Sequence, residues 1–156
     1  MKFKNTSYYQ NNIAIKEMIN FVNPLPKSFS FDIWIKKGRA NGFGGRAYCY
    51  KGKILNKYHH NPYVVIRLPN NKSNENYPLT KYPLFFAGKN YAKEKDYIGI
   101  QVFSLQEGLI TILAHELRHL WQAKYPNKKR LYSYGQFSEK DADIYALQQL
   151  RKWRIK

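Results

Sequence analysis

Periodicity predicts an α+β domain. Alternating and β-branched apolar runs are gathered between about Phe29 and Phe103, a 3.6-residue apolar period takes over from Leu105, and a shorter helical stretch stands near the N-terminus. The expected architecture is an N-terminal helix, a mixed or antiparallel sheet of about four strands, and two C-terminal helices. A chain of 156 residues suits one core, so residues 1–156 are read as a single domain.

Each element has its own signal. From Asn11 to Val22 the residues Ile15, Met18, Ile19 and Val22 recur at helical spacing, and Asn23-Pro24-Leu25-Pro26 ends the helix. Phe29, Phe31, Ile33 and Ile35 then alternate with Ser30, Asp32, Trp34 and Lys36, as on a half-buried strand. The segment GRANGFGGRAYCYKGK holds five of the nine glycines and reads as a mobile loop or hairpin with a strand over Ala47 to Tyr50. It lacks the GK[ST] ending and the downstream helix of a phosphate loop. Tyr63 to Leu68 is a β-branched strand bounded by Pro62 and Pro69, and the polar run Asn70 to Lys81 reads as an exposed loop. Tyr97 to Phe103 is a further strand. Leu105, Leu109, Ile112, Leu113, Leu117 and Leu120 mark a long helix from Leu105 to Lys124, stopped by Pro126. Ser138 is an N-cap with Asp141 three residues on, a capping-box variant, and the last helix runs towards Trp153.

Composition narrows the setting. The 27 Lys and Arg against 10 Asp and Glu give a net charge of +17, which points to an anionic neighbour. Much of the surplus is Lys, which together with abundant Asn, Tyr and Ile also follows from A+T-rich coding. The shortage of acids is the stronger electrostatic signal. No apolar stretch approaches the roughly 18–20 residues needed to span a bilayer, and MKFKNTSYYQNN lacks the apolar core of a signal peptide. Cys49 is the only cysteine, which excludes an intrachain disulfide and a cysteine-rich zinc site and favours a reducing, cytoplasmic setting.

The chemistry is concentrated in Ala114-His115-Glu116-Leu117-Arg118-His119, an HExxH motif inside the long helix. Residues four apart lie about 40° apart around a helix, one turn along it, so both imidazoles can reach one metal ion. The leucines fall within an arc of about 80° and the His pair lies roughly 135° from its centre, so one face anchors and the other presents ligands. Glu116 stands where a carboxylate can act on a metal-activated water without being a ligand. A catalytic zinc usually takes three protein ligands, and Glu139, in the first turn of the last helix and twenty residues beyond His119, is the candidate for the third. Asp143, one turn on, can accept the second ring N–H of a metal-bound His. Four of the ten acids thus fall within 28 residues of a basic chain.

HELRH followed by Glu139-Lys140-Asp141-Ala142-Asp143, an E-x-x-A-D pattern, resembles the gluzincin group of zinc metallopeptidases and in particular its minimal single-domain members. The match covers about Ile112 to Leu147. The resemblance implies a small zincin-like domain with Zn²⁺ held by His115, His119 and Glu139, Glu116 as general base, and Asp143 as the acid that orients a ligand. It also implies a peptide or protein substrate, and an edge strand before the active helix that holds an extended peptide, for which Tyr97 to Phe103 is the match. Arg118 departs from the pattern, since many members have Gly or a small residue there. SprT-like and phage-type peptidases acting on DNA-bound proteins are related, but they usually take a third His, and no His follows His119.

The reaction so implied is peptide-bond hydrolysis, with Tyr132, Tyr134, Tyr145, His59 and His60 as sources of an oxyanion donor. The second reading is a basic nucleic-acid-binding protein, of mobile-element or phage origin, in which the HExxH helix is structural or the peptidase acts on DNA-associated proteins. Its candidates are Lys128, Lys129 and Arg130 after the long helix, and Arg151, Lys152 and Arg154 near the C-terminus, interleaved with aromatic residues.

Overall fold

The computed structural model describes residues 1–38, 43–49, 61–69, 83–85, 99–128 and 138–156, with 83–85 and 99–101 described for their backbone alone. Its order is β1 (Phe3–Thr6), α1 (Asn12–Val22), β2 (Asp32–Lys37), β3 (Gly44–Tyr48), β4 (Tyr63–Leu68), β5 (Pro83–Phe85), β6 (Gly99–Gln101), α2 (Leu105–Lys124) and α3 (Glu139–Arg154). The architecture is α+β, as expected. The expected polar loop from Asn70 to Lys81 lies outside the described residues.

The chain opens on a strand and not on the expected helix. In β1 only Phe3 is apolar, so no alternating pattern marks it. It becomes a strand by pairing in parallel with β2, Phe3 opposite Ile33 and Asn5 opposite Ile35. Parallel neighbours need a crossover, and α1 supplies it. Asn11 caps that helix by accepting from the Ala14 N–H, and Ile15, Met18, Ile19 and Val22 are buried.

The main sheet is mixed, in the order β1-β2-β4-β3. Strands β2 and β4 run parallel and β3 returns antiparallel on β4. Two strand boundaries differ from the sequence pattern. The Phe29 N–H is bonded to the Pro26 carbonyl in a turn, so β2 begins three residues later than the alternation. Strand β3 begins at Gly44 instead of Ala47, because two glycines with no side-chain signal are drawn into the ladder with Arg67 and Ile66. A third correction concerns topology: β6 covers only 99–101 of the expected Tyr97–Phe103 strand and pairs with β5 in a separate two-stranded sheet.

Alternation sends Ile33, Ile35, Val64 and Ile66 to one face of the main sheet, where all four are buried. Helix α2 lies against that core. Leu109, Leu113 and Leu117 are completely buried and Leu120 nearly so, each burial contributing roughly 1.5–3 kcal/mol. Helix α3 runs antiparallel to α2 and is clamped at both ends. Arg154 donates to both Glu107 carboxylate oxygens at 2.9 and 2.8 Å, and Arg118 bonds Asp141 at the other end. Ser104 caps α2 by accepting from the Glu107 N–H, and Ser138 caps α3 by accepting from the Asp141 N–H. Among the described residues no helix is long and apolar enough to cross a membrane.

Gly108 shows how closely the loop before β3 meets α2. A Cβ built there would overlap the Phe43 ring. In an open helix Gly→Ala stabilises by up to about 1 kcal/mol, whereas overpacking costs about 1–3 kcal/mol. Gly108→Ala is therefore expected to destabilise the protein in urea unfolding, and to stabilise it when Phe43→Ala is also present. The same sign in both backgrounds contradicts the contact.

Candidate metal centre

His115 and His119 sit one turn apart on α2, and Glu139 is the first residue of α3. Their polar atoms converge. His115 Nε2 is 3.1 Å from His119 Nε2 and 3.1 Å from Glu139 Oε2, and His119 Nε2 is 3.1 Å from Glu139 Oε1. One ligand atom from each residue lies within 4.8 Å of the others. Two imidazole nitrogens and a carboxylate oxygen aimed at one point form a group that can bind a metal ion.

The remaining ring nitrogens are both held. His115 Nδ1 is 2.8 Å from Asp143 Oδ1, the contact expected from the sequence. His119 Nδ1 is 3.0 Å from the side-chain oxygen of Gln122, a residue the sequence reading missed. The Gln122 amide nitrogen donates to the Ser138 carbonyl at 2.8 Å and to Asp141 Oδ2 at 2.9 Å. With both amide hydrogens so used, its oxygen faces His119 and accepts from Nδ1–H, leaving the Nε2 lone pair towards the centre. The available signal was a glutamine three residues after a ligand His.

Arg118 is not solvated. It is buried, donates to Asp141 through Nε at 2.8 Å and Nη2 at 3.1 Å, and stacks on Trp121 with Cζ 3.7 Å from the ring centroid. Asp141 is itself completely buried. Its carboxylate thus serves the α2–α3 contact, a larger role than the expected capping box.

Glu116 faces β3. It is buried, and burial raises its pKa above the ordinary carboxylate value against the opposing pull of His115 and His119. The Ala47 backbone N–H bonds its carboxylate. A Cβ at Gly45 would lie 2.6 Å from Glu116 Oε1 and 2.9 Å from Ile112 Cγ1, so only glycine lets the strand approach this closely. Glu116 and the three ligand candidates line a cavity of about 460 Å³ together with Gly45, Arg46, Ala47 and Cys49. Strand β3 therefore borders the cavity; most side chains of the expected strand, Tyr97 to Phe103, lie outside the described residues.

Three carboxylates in one site are shifted in different directions. Burial raises Asp143, opposed by its hydrogen bond to His115. Hydrogen bonds from His115 and then His119 hold Glu139 well below the usual carboxylate range. Burial works to lower the His115 pKa, but the Asp143 and Glu139 carboxylates outweigh it and hold the imidazolium up to about 10.

Other sequence candidates fall elsewhere. The Tyr145 hydroxyl donates to the Val22 carbonyl at 2.6 Å, which removes it as an oxyanion donor. Arg154 is paired with Glu107 at the end of α3. Arg151 and Lys152 are exposed on the last turn of α3, and Lys128 is exposed with its ammonium 4.1 Å from the Tyr125 ring centroid. Lys129, Arg130, Tyr132, Tyr134, His59 and His60 lie outside the described residues. No protein-family model, curated protein or solved structure matches the chain.

Two outcomes follow. Arg118→Met strands a fully buried carboxylate, so it is expected to cost about 3–5 kcal/mol in urea unfolding, with much of the loss recovered in Arg118→Met/Asp141→Leu. A loss under about 1 kcal/mol would contradict a buried pair. Metal added to the metal-free protein must displace the proton on His115 Nε2, so uptake releases about one proton at neutral pH. Apparent affinity is expected to rise as much as about tenfold per pH unit below pH 10. Chelator competition across pH 6.5–8.5 checks the sign, and an affinity that is flat or falls with pH contradicts it.

Proposed function

We propose that the chain is a zinc-dependent metallopeptidase, a small zincin-like endopeptidase of gluzincin type. The observation that carries this reading is the convergence of His115 Nε2, His119 Nε2 and Glu139 on one point beside a buried Glu116. Two imidazoles and one carboxylate are the ligand set of a hydrolytic zinc that keeps an open position, whereas a structural zinc is usually enclosed by four ligands. The single cysteine and the absence of a membrane-crossing helix among the described residues fit a cytoplasmic enzyme.

In this reading the ligands are His115, His119 and Glu139, and bound zinc would supply a Lewis acid for the scissile carbonyl and a more acidic water. Glu116 takes a proton from the attacking water and returns it to the leaving amine. Its raised pKa suits that task, because a carboxylate at its ordinary value holds a proton too weakly near neutral pH. Asp143 and Gln122 keep both imidazoles in one tautomer and orientation. Among the described residues strand β3 is the last of the four in the sheet, and its outer edge suits an extended peptide added as a further strand.

Three proteins test this reading together. The native chain is expected to carry about one zinc and to cleave a denatured protein substrate. Glu116→Gln should keep the metal and lose about 10²–10⁴-fold in kcat. His115→Ala should lose the metal as well. A folded native protein that takes up no zinc, or a Glu116→Gln protein of undiminished activity, rules the mechanism out.

A further inference from the structure

The sheet has a second face, where among the described residues aromatic and cationic side chains surround one buried apolar residue, Val65. Alternation along β2 and β4 that buries Ile33, Ile35, Val64 and Ile66 sends Trp34, Lys36, Tyr63 and Arg67 to the other side. The register places Lys4 of β1, Trp34 of β2 and Arg46 of β3 in one row across the sheet. Trp34, Tyr48 and Tyr63 lie outside the packed apolar cluster that joins the helices to the sheet.

Cations and rings on this face are in mutual contact. The ammonium groups of Lys4 and Lys36 each lie 4.7 Å from the Trp34 ring centroid. Tyr48 and Tyr63 stack at 4.3 Å with an interplanar angle of 11°, and Arg46 Cζ lies 5.1 Å from the Tyr48 ring. The Trp34 indole N–H donates to Thr6 Oγ1 at 3.0 Å, which restrains the ring. Asp32 is the one acid on this face among the described residues, and its carboxylate accepts the Lys2 backbone N–H at 2.8 Å.

We propose that this face binds single-stranded nucleic acid, with bases stacked on Trp34 and on the Tyr48–Tyr63 pair and phosphates held by Lys4, Lys36, Arg46 and Arg67. The assignment is independent of the metallopeptidase reading. Two features select the occupant. The cations supply the phosphate attraction that a +17 chain amplifies at long range. The rings select single strands, because bases in a duplex are already stacked on each other and offer no free face to an aromatic side chain. An acidic peptide would use the cations and leave the rings without a role. The aromatic sites on β2 and β3 are two strand spacings apart, roughly 10 Å, so one strand of nucleic acid can cross both. The face differs from the basic C-terminal cluster, where Arg154 is already paired with Glu107.

The test uses the full chain and a fluorescein-labelled oligothymidylate of about 15 nucleotides, followed by anisotropy at low and rising salt. Expected results are binding that weakens steeply with salt and survives metal chelation. Trp34→Ala should weaken it by about five- to a hundred-fold. Lys4→Glu/Lys36→Glu also removes the two cation–ring contacts to Trp34; it should weaken binding and flatten the salt dependence while the chain stays folded at the assay temperature, and this carries the test if Trp34→Ala does not fold. Lys128→Glu/Lys152→Glu should stay within about threefold of the native affinity. The proposal is overturned by no binding at low salt, by equal affinity for a duplex or for polyglutamate, or by loss that follows Lys128 and Lys152 instead of the sheet residues.

Discussion

A carboxylate with no solvent exposure is kept in a protein only if its charge is met by donors that cannot drift, and Asp141 imposes that condition on the whole C-terminal half. Arg118 meets it with two hydrogen bonds from α2, and Gln122 adds a third one turn further on. Sliding or rotating α3 along α2 would break all three and leave two or more buried polar groups unpaired. The pair therefore sets the relative position of the helices more sharply than apolar packing alone, which tolerates small shifts. Glu139 and Asp143 each stand two residues from Asp141, so the constraint that fixes Asp141 fixes the third ligand candidate and the partner of His115 as well.

Gln122 joins this clamp to the centre. Its nitrogen is held by Asp141 and Ser138, and its oxygen meets His119. One side chain thus transmits the helix–helix register to the imidazole ring. The centre as a whole shows environment overriding residue type. Glu116 and Asp143 are pushed up chiefly by burial, while Glu139, more exposed and bonded to two imidazoles, is pulled down. One site thus holds a carboxylate suited to ligation and another suited to holding a proton.

Legibility followed the range of the signal. Helices α2 and α3, β4, and the set His115, Glu116, His119, Glu139 and Asp143 announce themselves through local periodicity and spacing, and the structure brings these five side chains together. Strand β1 was invisible because its single apolar residue gives no period and its strand character comes from a partner about thirty residues away. Strand β3, which borders the cavity, was obscured by its glycines, which read as loop residues locally although Gly45 is required by the approach to Glu116. Arg118 and Asp141 were legible as charges and illegible as a pair, because their contact is set by how two helices cross. Gln122 was hidden for the same reason.

Strand β3 links the two surfaces of the sheet through its alternation. Gly45 and Ala47 meet Glu116 on one side, while Arg46 and Tyr48 form part of the aromatic and cationic face on the other. Consecutive residues of one strand thus address two sites on opposite faces of the sheet, and Arg46, which also borders the cavity, stands between them. If both proposals hold, nucleic acid on the outer face would leave the cavity open and place it next to proteins bound along the same strand. Binding of that kind raises the local concentration of substrate without adding any contact at the catalytic centre. Selectivity would then come from where the enzyme is held, and the positive charge of the chain would act on encounter more than on the chemical step.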